Sequence, residues 1–220
     1  GLSLISFGLF TKIVLADAIF APAANAVYTH LNQIGTLEAW IGIFAFSGQI
    51  FCDFSGYSTC AIGAALCLGF YLPRNFWSPY AAIGFSDFWR RWHISLSSWI
   101  RDYLYIALGG NRGGWLRVFF NLMLTMLLSG LWHGASWLFV LWGGVHGVYL
   151  VAEHLLKKLF QHRPIRWSSL GLLGLALLTF WITTLTWVLF RAPTLAAAGQ
   201  LFQVLFSPQM GNNFVIDEPL

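Results

Sequence analysis

Long apolar runs dominate the sequence, and they set the class of fold that it can adopt. Residues 115–132 and 169–190 each contain a single charged residue or none. A run of about 20 apolar residues is long enough to cross a lipid bilayer as a helix, in which all backbone hydrogen bonds are internal. Charged side chains make up 9% of the chain, against about 25% in water-soluble domains. The sequence therefore predicts an all-α, polytopic transmembrane helix bundle.

Six apolar segments are predicted to form the helices of this bundle: residues 2–20, 37–51, 56–72, 115–132, 135–152 and 169–190. Residues 21–35 are predicted to connect the first two. Residues 52–57 form a polar break, which places Asp53 at a helix junction as a cap or hydrogen-bond acceptor. Residues 195–206 are too short to span easily and predict a surface or partial helix.

The distribution of basic residues predicts the orientation of the chain in the membrane. Ten of the twelve Lys and Arg residues fall within 74–117 and 157–166, as expected for cytoplasmic loops. This clustering beside apolar spans argues against a nucleic-acid partner. Segments 115–132 and 135–152 then form a hairpin whose bend contains His133, and we expect His133 to line a cavity that opens away from the cytoplasm.

Residues 86–104 predict a single amphipathic helix in the membrane interface. At 100° per residue, Trp and other apolar side chains cover one side, and Arg, Asp and Ser cover the other. This combination is typical of helices that lie in the interface plane. His93 falls at the edge of the polar side beside Arg90 and Ser97, because residues three and four apart share a face.

The three cysteines give no sign of a metal or disulfide site. Cys52, Cys60 and Cys67 are spaced by eight and seven residues in apolar sequence, which matches neither a zinc-binding pattern nor a disulfide framework. We interpret them as small packing residues and expect no metal and no bound cofactor.

His133 is the first candidate for a functional residue. It interrupts apolar sequence in LSGLWHGASW, residues 128–137, and ionisable groups inside membranes are costly and usually functional. The alternative is a histidine that only hydrogen-bonds a backbone carbonyl. His146 lies thirteen residues further on, about 220° around an ideal helix, so the two could face one site only if the chain bends near Gly134.

Four segments together resemble a known family: FCDFSGY (51–57), NFWSPY (75–80), DFWRRWHISLSSWIRDYLYIALGG (87–110) and LWHGASW (131–137). The chain resembles the membrane-bound O-acyltransferases, most closely their alginate O-acetylase branch, and is akin to teichoic-acid D-alanyl transfer proteins. The resemblance implies a bundle with a central funnel and tunnel. It also implies that the WHG histidine works beside a second histidine, and by position these are His133 and His93.

The resemblance also implies a function in the cell inner membrane. An acyl group would move from a cytoplasmic thioester, such as acetyl-CoA or an acyl-carrier thioester, toward hydroxyls of an exopolysaccharide such as alginate, or to a relay partner. D-alanyl transfer to teichoic acid is the alternative within the family. Expected partners are extracytoplasmic polysaccharide-modifying proteins and membrane lipid. Residues 1–220 would form a single membrane-embedded domain that lacks an N-terminal part.

Each candidate residue then has an expected role. An imidazole titrates near neutral pH and can take the proton of an attacking hydroxyl. We expect His133 to be this general base and His93 to bind the acyl carbonyl or orient the acceptor. The side chains expected to contact substrates are Arg90, Ser97, Trp132 and Asp53.

Two other classes of protein compete with this interpretation. A proton-coupled transporter also uses intramembrane histidines, but usually with acidic partners inside the spans, and only Asp17 and Asp53 come close to that description. A haem protein needs two histidines that face each other, for which His133 and His146 are the available pair.

Overall fold

The computed structural model describes residues 1–161, 167–208 and 210–211, and these residues contain helices but no strand. Five helical stretches are long and apolar enough to cross a membrane: Leu2–Thr29, Thr36–Cys67, Trp115–Trp132, Trp137–Leu159 and Ser169–Arg191. The predicted all-α membrane fold is confirmed, with five such stretches in place of six. Residues 163 and 166 of the second basic loop lie outside the described residues. The chain divides into two compact units, residues 1–74 with 187–220, and residues 75–186.

The first unit begins with a continuous helical rod whose hydrogen-bonding pattern changes twice. Helix α1 (Leu2–Leu9) continues into a π-helix (Phe10–Phe20) and then into α2 (Ala21–Thr29). The predicted connection at residues 21–35 is therefore wrong over most of its length. Pro22 does not end the helix because it lies in the first turn of α2, where a missing N–H is tolerated.

Helix α3 (Thr36–Cys67) packs along this rod and runs without interruption through residues 52–57. The predicted break and the capping role of Asp53 are wrong. Asp53 instead forms an ion pair with Lys12 at 2.5 Å, and Lys12 also pairs with Asp17 at 2.7 Å. A Cβ at Gly8 would lie 2.6 Å from the Gly56 carbonyl oxygen, so the two helices can pack this closely only because both positions lack a side chain.

The second unit contains the two histidine segments, residues 86–104 and 128–137. After a loop with a short 3₁₀ turn (Pro79–Ala81) come α4 (Phe85–Arg91), α5 (Ile94–Ile100), a π-helical turn (Arg101–Tyr105), α6 (Trp115–Trp132) and α7 (Trp137–Leu159). Helix α8 (Ser169–Arg191) begins in this unit and ends in the first, where α9 (Leu195–Phe206) packs on α3. The predicted single helix at 86–104 is wrong, since the chain turns between α4 and α5.

Helices α6 and α7 form the predicted hairpin around His133, and they cross at unusually short range. A Cβ added at Gly130 would overlap the carbonyl oxygen of Phe139, and one at Gly143 would overlap that of Met126. Backbone therefore contacts backbone at the crossing. Helix α7 begins at a side-chain cap, in which the Ser136 hydroxyl accepts a hydrogen bond from the Leu138 N–H at 3.3 Å.

A candidate active site at two helix corners

His93 lies at the corner between α4 and α5. Its backbone is left-handed, with φ 42° and ψ 58°, a conformation that is uncommon for residues other than glycine. Helix α4 ends at Arg91, and the extended Trp92 leads into His93. The corner explains why a helical projection of residues 86–104 fails, because His93 does not share a continuous helical face with Arg90 and Ser97.

His133 lies at the second corner, directly after the last residue of α6. Its imidazole is half-buried and in edge contact with the Trp132 and Trp142 rings, at centroid distances of 5.0 and 5.3 Å. Phe139 of α7 lies 6.0 Å away. The close crossing of α6 and α7 thus surrounds this histidine with aromatic rings from both helices.

The two imidazoles lie near each other and outside the membrane-spanning helices. The His93 ring is 6.4 Å from the Trp132 ring, which contacts His133. Burial lowers the pKa of both histidines, and for His133 the positive charge that His93 would carry lowers the pKa further. Both imidazoles are therefore neutral at pH 7 and can accept a proton or donate from one nitrogen.

His146 is a third histidine behind this pair. It is completely buried on α7, and its ring contacts the Trp142 ring at 4.9 Å. Its Nε2 lies 3.0 Å from the Thr186 hydroxyl, whose own proton goes to the Thr183 carbonyl at 2.7 Å. A hydroxyl has one proton, so His146 must donate from Nε2. Because Trp142 contacts both His133 and His146, and Nε2 is engaged, the two histidines are poorly placed to ligate one haem.

A cavity of about 490 Å³ lies within the second unit. Arg90 and Ser97 line it, as do Ile94 and Ser129, which lie next to His93 and one turn before His133. The cavity also reaches His154 and Lys157 near the C-terminal end of α7, beside the basic sequence expected at the cytoplasm. His93 and His133 are not among the residues that line this cavity, and the expectation that His133 lines a cavity opening away from the cytoplasm stays a prediction.

Charges around the cavity differ in how far they are neutralised. Arg101 pairs with Asp102 at 2.7 Å, and Lys157 pairs with Glu153. In the part of the chain that the structure describes, exposed Arg90 forms no ion pair within 4.0 Å. Its guanidinium is therefore the cation at this cavity most available to a negatively charged ligand.

The structure brings together five of the six predicted site residues in one unit. His93, Trp132 and His133 are linked by ring contacts, and Arg90 and Ser97 line the cavity. Asp53 lies in the other unit with Lys12, and its contact with substrate stays a prediction.

Sequence reasoning missed two features of the site. One is the set of rings from α7 around His133, which depends on how two helices cross. The other is the loop beginning at Asn75, which is hydrogen-bonded to the His93 corner. The NFWSPY segment was a usable signal for this loop, since an asparagine before a turn often caps backbone N–H groups.

The fold and the site define a multi-pass membrane protein with two imidazoles at helix corners beside a cavity. Residues 1–192 match the profile of the membrane-bound O-acyltransferase family, and the chain belongs to that family. The probable alginate O-acetylase of Azotobacter vinelandii is 44% identical over 91% of this chain. The peptidoglycan O-acetyltransferase of Helicobacter pylori is 42% identical over 90% of the chain, and the teichoic acid D-alanyltransferase of Bacillus subtilis is 30% identical over 72%.

These matches cover only part of each relative. The chain spans 38% of the A. vinelandii protein, 37% of the H. pylori protein and 42% of the B. subtilis protein.

Proposed function

We propose that the protein transfers an acetyl group from a cytoplasmic thioester to a hydroxyl of an extracytoplasmic polysaccharide such as alginate, directly or through a relay protein. It would do so in the cell inner membrane, with residues 1–220 as part of one membrane-embedded domain. The observation on which this depends is the approach of two imidazoles, His93 and His133, at helix corners that the Trp132 ring links. Acetyl transfer is favoured over D-alanyl transfer because the chain is more similar to the named O-acetylases.

His133 acts as the general base in this proposal. Its lowered pKa keeps the ring unprotonated at pH 7, so it can remove the proton of the acceptor hydroxyl as the oxygen attacks the thioester carbonyl. A new C–O bond forms, the C–S bond breaks, and the imidazolium returns its proton to the leaving thiolate. General-base assistance of this kind contributes roughly 10²- to 10⁴-fold in rate.

His93 stabilises the negative charge that develops on the carbonyl oxygen. A neutral imidazole has one N–H to donate, and the His93 ring, which lies 6.4 Å from the Trp132 ring, is partly buried from water. Hydrogen bonds aimed at a developing oxyanion gain strength in such an environment. No nucleophilic side chain is needed, because the hydroxyl attacks the thioester directly.

The cavity on the basic side is proposed to hold the thioester donor. Its volume of about 490 Å³ lies in the range of small-ligand pockets, roughly 300–1,000 Å³. Acetyl-CoA and the prosthetic arm of an acyl carrier both carry phosphate and a thioester at the end of a flexible chain. In this proposal the guanidinium of Arg90 binds that phosphate, and Ser129 and Ile94, which lie close in sequence to the two histidine corners, line the same cavity.

The first experiment tests the two histidines in the full-length protein. Secreted polysaccharide from cells with His133→Ala or His93→Ala is examined by mass spectrometry at matched protein levels. His133→Ala is expected to lose at least about 10²-fold in acetylation. His30→Ala is the matched control, since His30 is exposed on the other unit. Retention of more than a tenth of the acetylation by His133→Ala would refute the general-base role.

A second experiment tests donor binding. Arg90→Gln is expected to raise the KM for the thioester donor by at least about fivefold with little change in kcat, because the lost contact is to a part of the donor that does not react. Arg112→Gln is the control, because Arg112 is exposed and does not line the cavity. Equal KM values for the two variants would mean that the donor binds elsewhere.

A further inference from the structure

The left-handed backbone of His93 needs support from outside its own helices. Positive φ at a residue with a side chain costs about 1–3 kcal/mol and persists only where the surroundings enforce it. A break between two helices also leaves backbone N–H and C=O groups without helical partners. Unpaired backbone groups are costly, so another part of the protein that pairs with them stabilises the break.

A single loop supplies those partners at the His93 corner. The Asn75 carbonyl accepts the Ile94 N–H at 2.9 Å, and the Asn75 side-chain oxygen accepts the Ser95 N–H at 3.1 Å. The same oxygen accepts the Ser95 hydroxyl at 2.6 Å. Asn75 thus binds the first two residues of α5, which directly follow His93.

The loop also holds the residues on the other side of His93. The Trp77 N–H donates to the Arg91 carbonyl at 3.0 Å, and the Arg91 guanidinium lies 5.5 Å above the Trp77 ring. The Phe76 ring meets the Trp92 ring edge-on at 5.0 Å. Residues before and after His93 are therefore both fixed by positions 75–77, and His93 lies between them.

We propose that Asn75 is a positioning residue for His93: its side chain fixes the start of α5 and thereby holds the imidazole in place. This inference rests on the proposed function of His93. Asn75 contacts neither substrate nor reacting atoms in this role. Its effect on catalysis passes through His93, because a displacement of about 1 Å at a reacting group can cost on the order of 10²-fold in rate.

The test is a double-mutant cycle in the full-length protein, with acetylation measured at matched protein levels. Asn75→Ala is expected to lower kcat by roughly 10- to 100-fold, with the donor KM changed less than about threefold. In a His93→Ala background the same substitution is expected to lower kcat by less than about threefold, since the imidazole that it positions is gone. Asn75→Asp is expected to restore activity, because a carboxylate oxygen accepts the same two hydrogen bonds from Ser95.

A matched control distinguishes this role from a general loss of folding. Asn121 also fixes backbone in this unit, since its side chain donates to the Gly110 carbonyl at 3.0 Å. Asn121→Ala is expected to lower kcat by the same factor with and without His93. If Asn75→Ala behaves like Asn121→Ala, or if Asn75→Asp does not restore kcat, the positioning role is refuted. If His93→Ala alone keeps full activity, it is the proposed role of His93 that fails.

Discussion

The close crossing of α6 and α7 gives a sharp prediction about Gly130. A Cβ at this position would lie closer than 3.0 Å to the Phe139 carbonyl oxygen, and it would also approach the Gly143 Cα. Both obstacles are backbone atoms, which cannot rotate away as a side-chain end can. Gly130→Ala therefore requires the two helices to separate or slide.

The size of the effect follows from two opposing contributions. Inserting a methyl group into a packed contact costs about 1–3 kcal/mol, whereas alanine favours the helix over glycine by up to about 1 kcal/mol. The expected net destabilisation of Gly130→Ala is about 1–2 kcal/mol. Because His133 follows three residues later, a helix shift of about 1 Å is expected to lower activity by on the order of 10²-fold, far more than the loss of folded protein.

Purified full-length variants in detergent are compared by thermal melting and by acetylation. Gly144→Ala is the matched control, since a Cβ there meets only the end of Leu127 at 3.4 Å. We expect Gly144→Ala to melt at or above the wild-type temperature with normal activity. If Gly130→Ala has the same melting temperature as Gly144→Ala and keeps more than half of the wild-type activity, the described crossing does not hold His133 in place.

Three further predictions concern other parts of the chain. Burial lowers the pKa of His133, and the unprotonated ring is the active form. Activity should therefore stay constant as the pH falls to about 6.5, the ordinary pKa of histidine, and should decline only at lower pH. A midpoint at or above pH 6.5 in the pH–rate profile would contradict the lowered pKa. Thr186→Val leaves the Nε2–H of buried His146 unpaired and should cost about 1–3 kcal/mol, seen as a lower melting temperature that Thr186→Ser restores. Lys12→Met leaves the carboxylates of Asp17 and Asp53 without a counter-charge. The yield of folded protein from membranes should therefore fall severalfold, and Lys12→Arg should restore it. Equal yields for the wild type and both variants would argue against the ion pairs.

The sequence predicted those parts of the fold that depend on the length of apolar runs. The span at 115–132 was predicted at the bounds that α6 has, and α8 ends one residue after the predicted 190. The bilayer makes these spans predictable, because each crossing needs about 20 apolar residues regardless of the rest of the fold. The predicted hairpin at His133 followed from the same rule and from the basic residues on either side.

The errors occurred where distant residues decide local structure. The polar break predicted at residues 52–57 follows if only local sequence is considered, yet α3 continues through these residues, and Asp53 pairs with Lys12 of another helix. Likewise, residues 86–104 have an amphipathic period, yet the chain turns at His93, where Asn75, eighteen positions earlier, binds the start of α5. Hydrophobic periodicity indicates which residues share a face of a helix, and it does not reveal either of these long-range contacts.

Both candidate imidazoles lie at helix ends, and this shared placement has a physical consequence. A side chain on a continuous helix is held by the ladder of backbone hydrogen bonds around it, whereas one at a corner depends on the groups that cap the broken ends and on the rings that pack against it. Asn75 caps α5 after His93, and Ser136 caps α7 after His133. We therefore expect the loss of a cap to change the separation of the two imidazoles and to reduce catalysis before it unfolds the spans, since the apolar helices of the hairpin remain in contact without it.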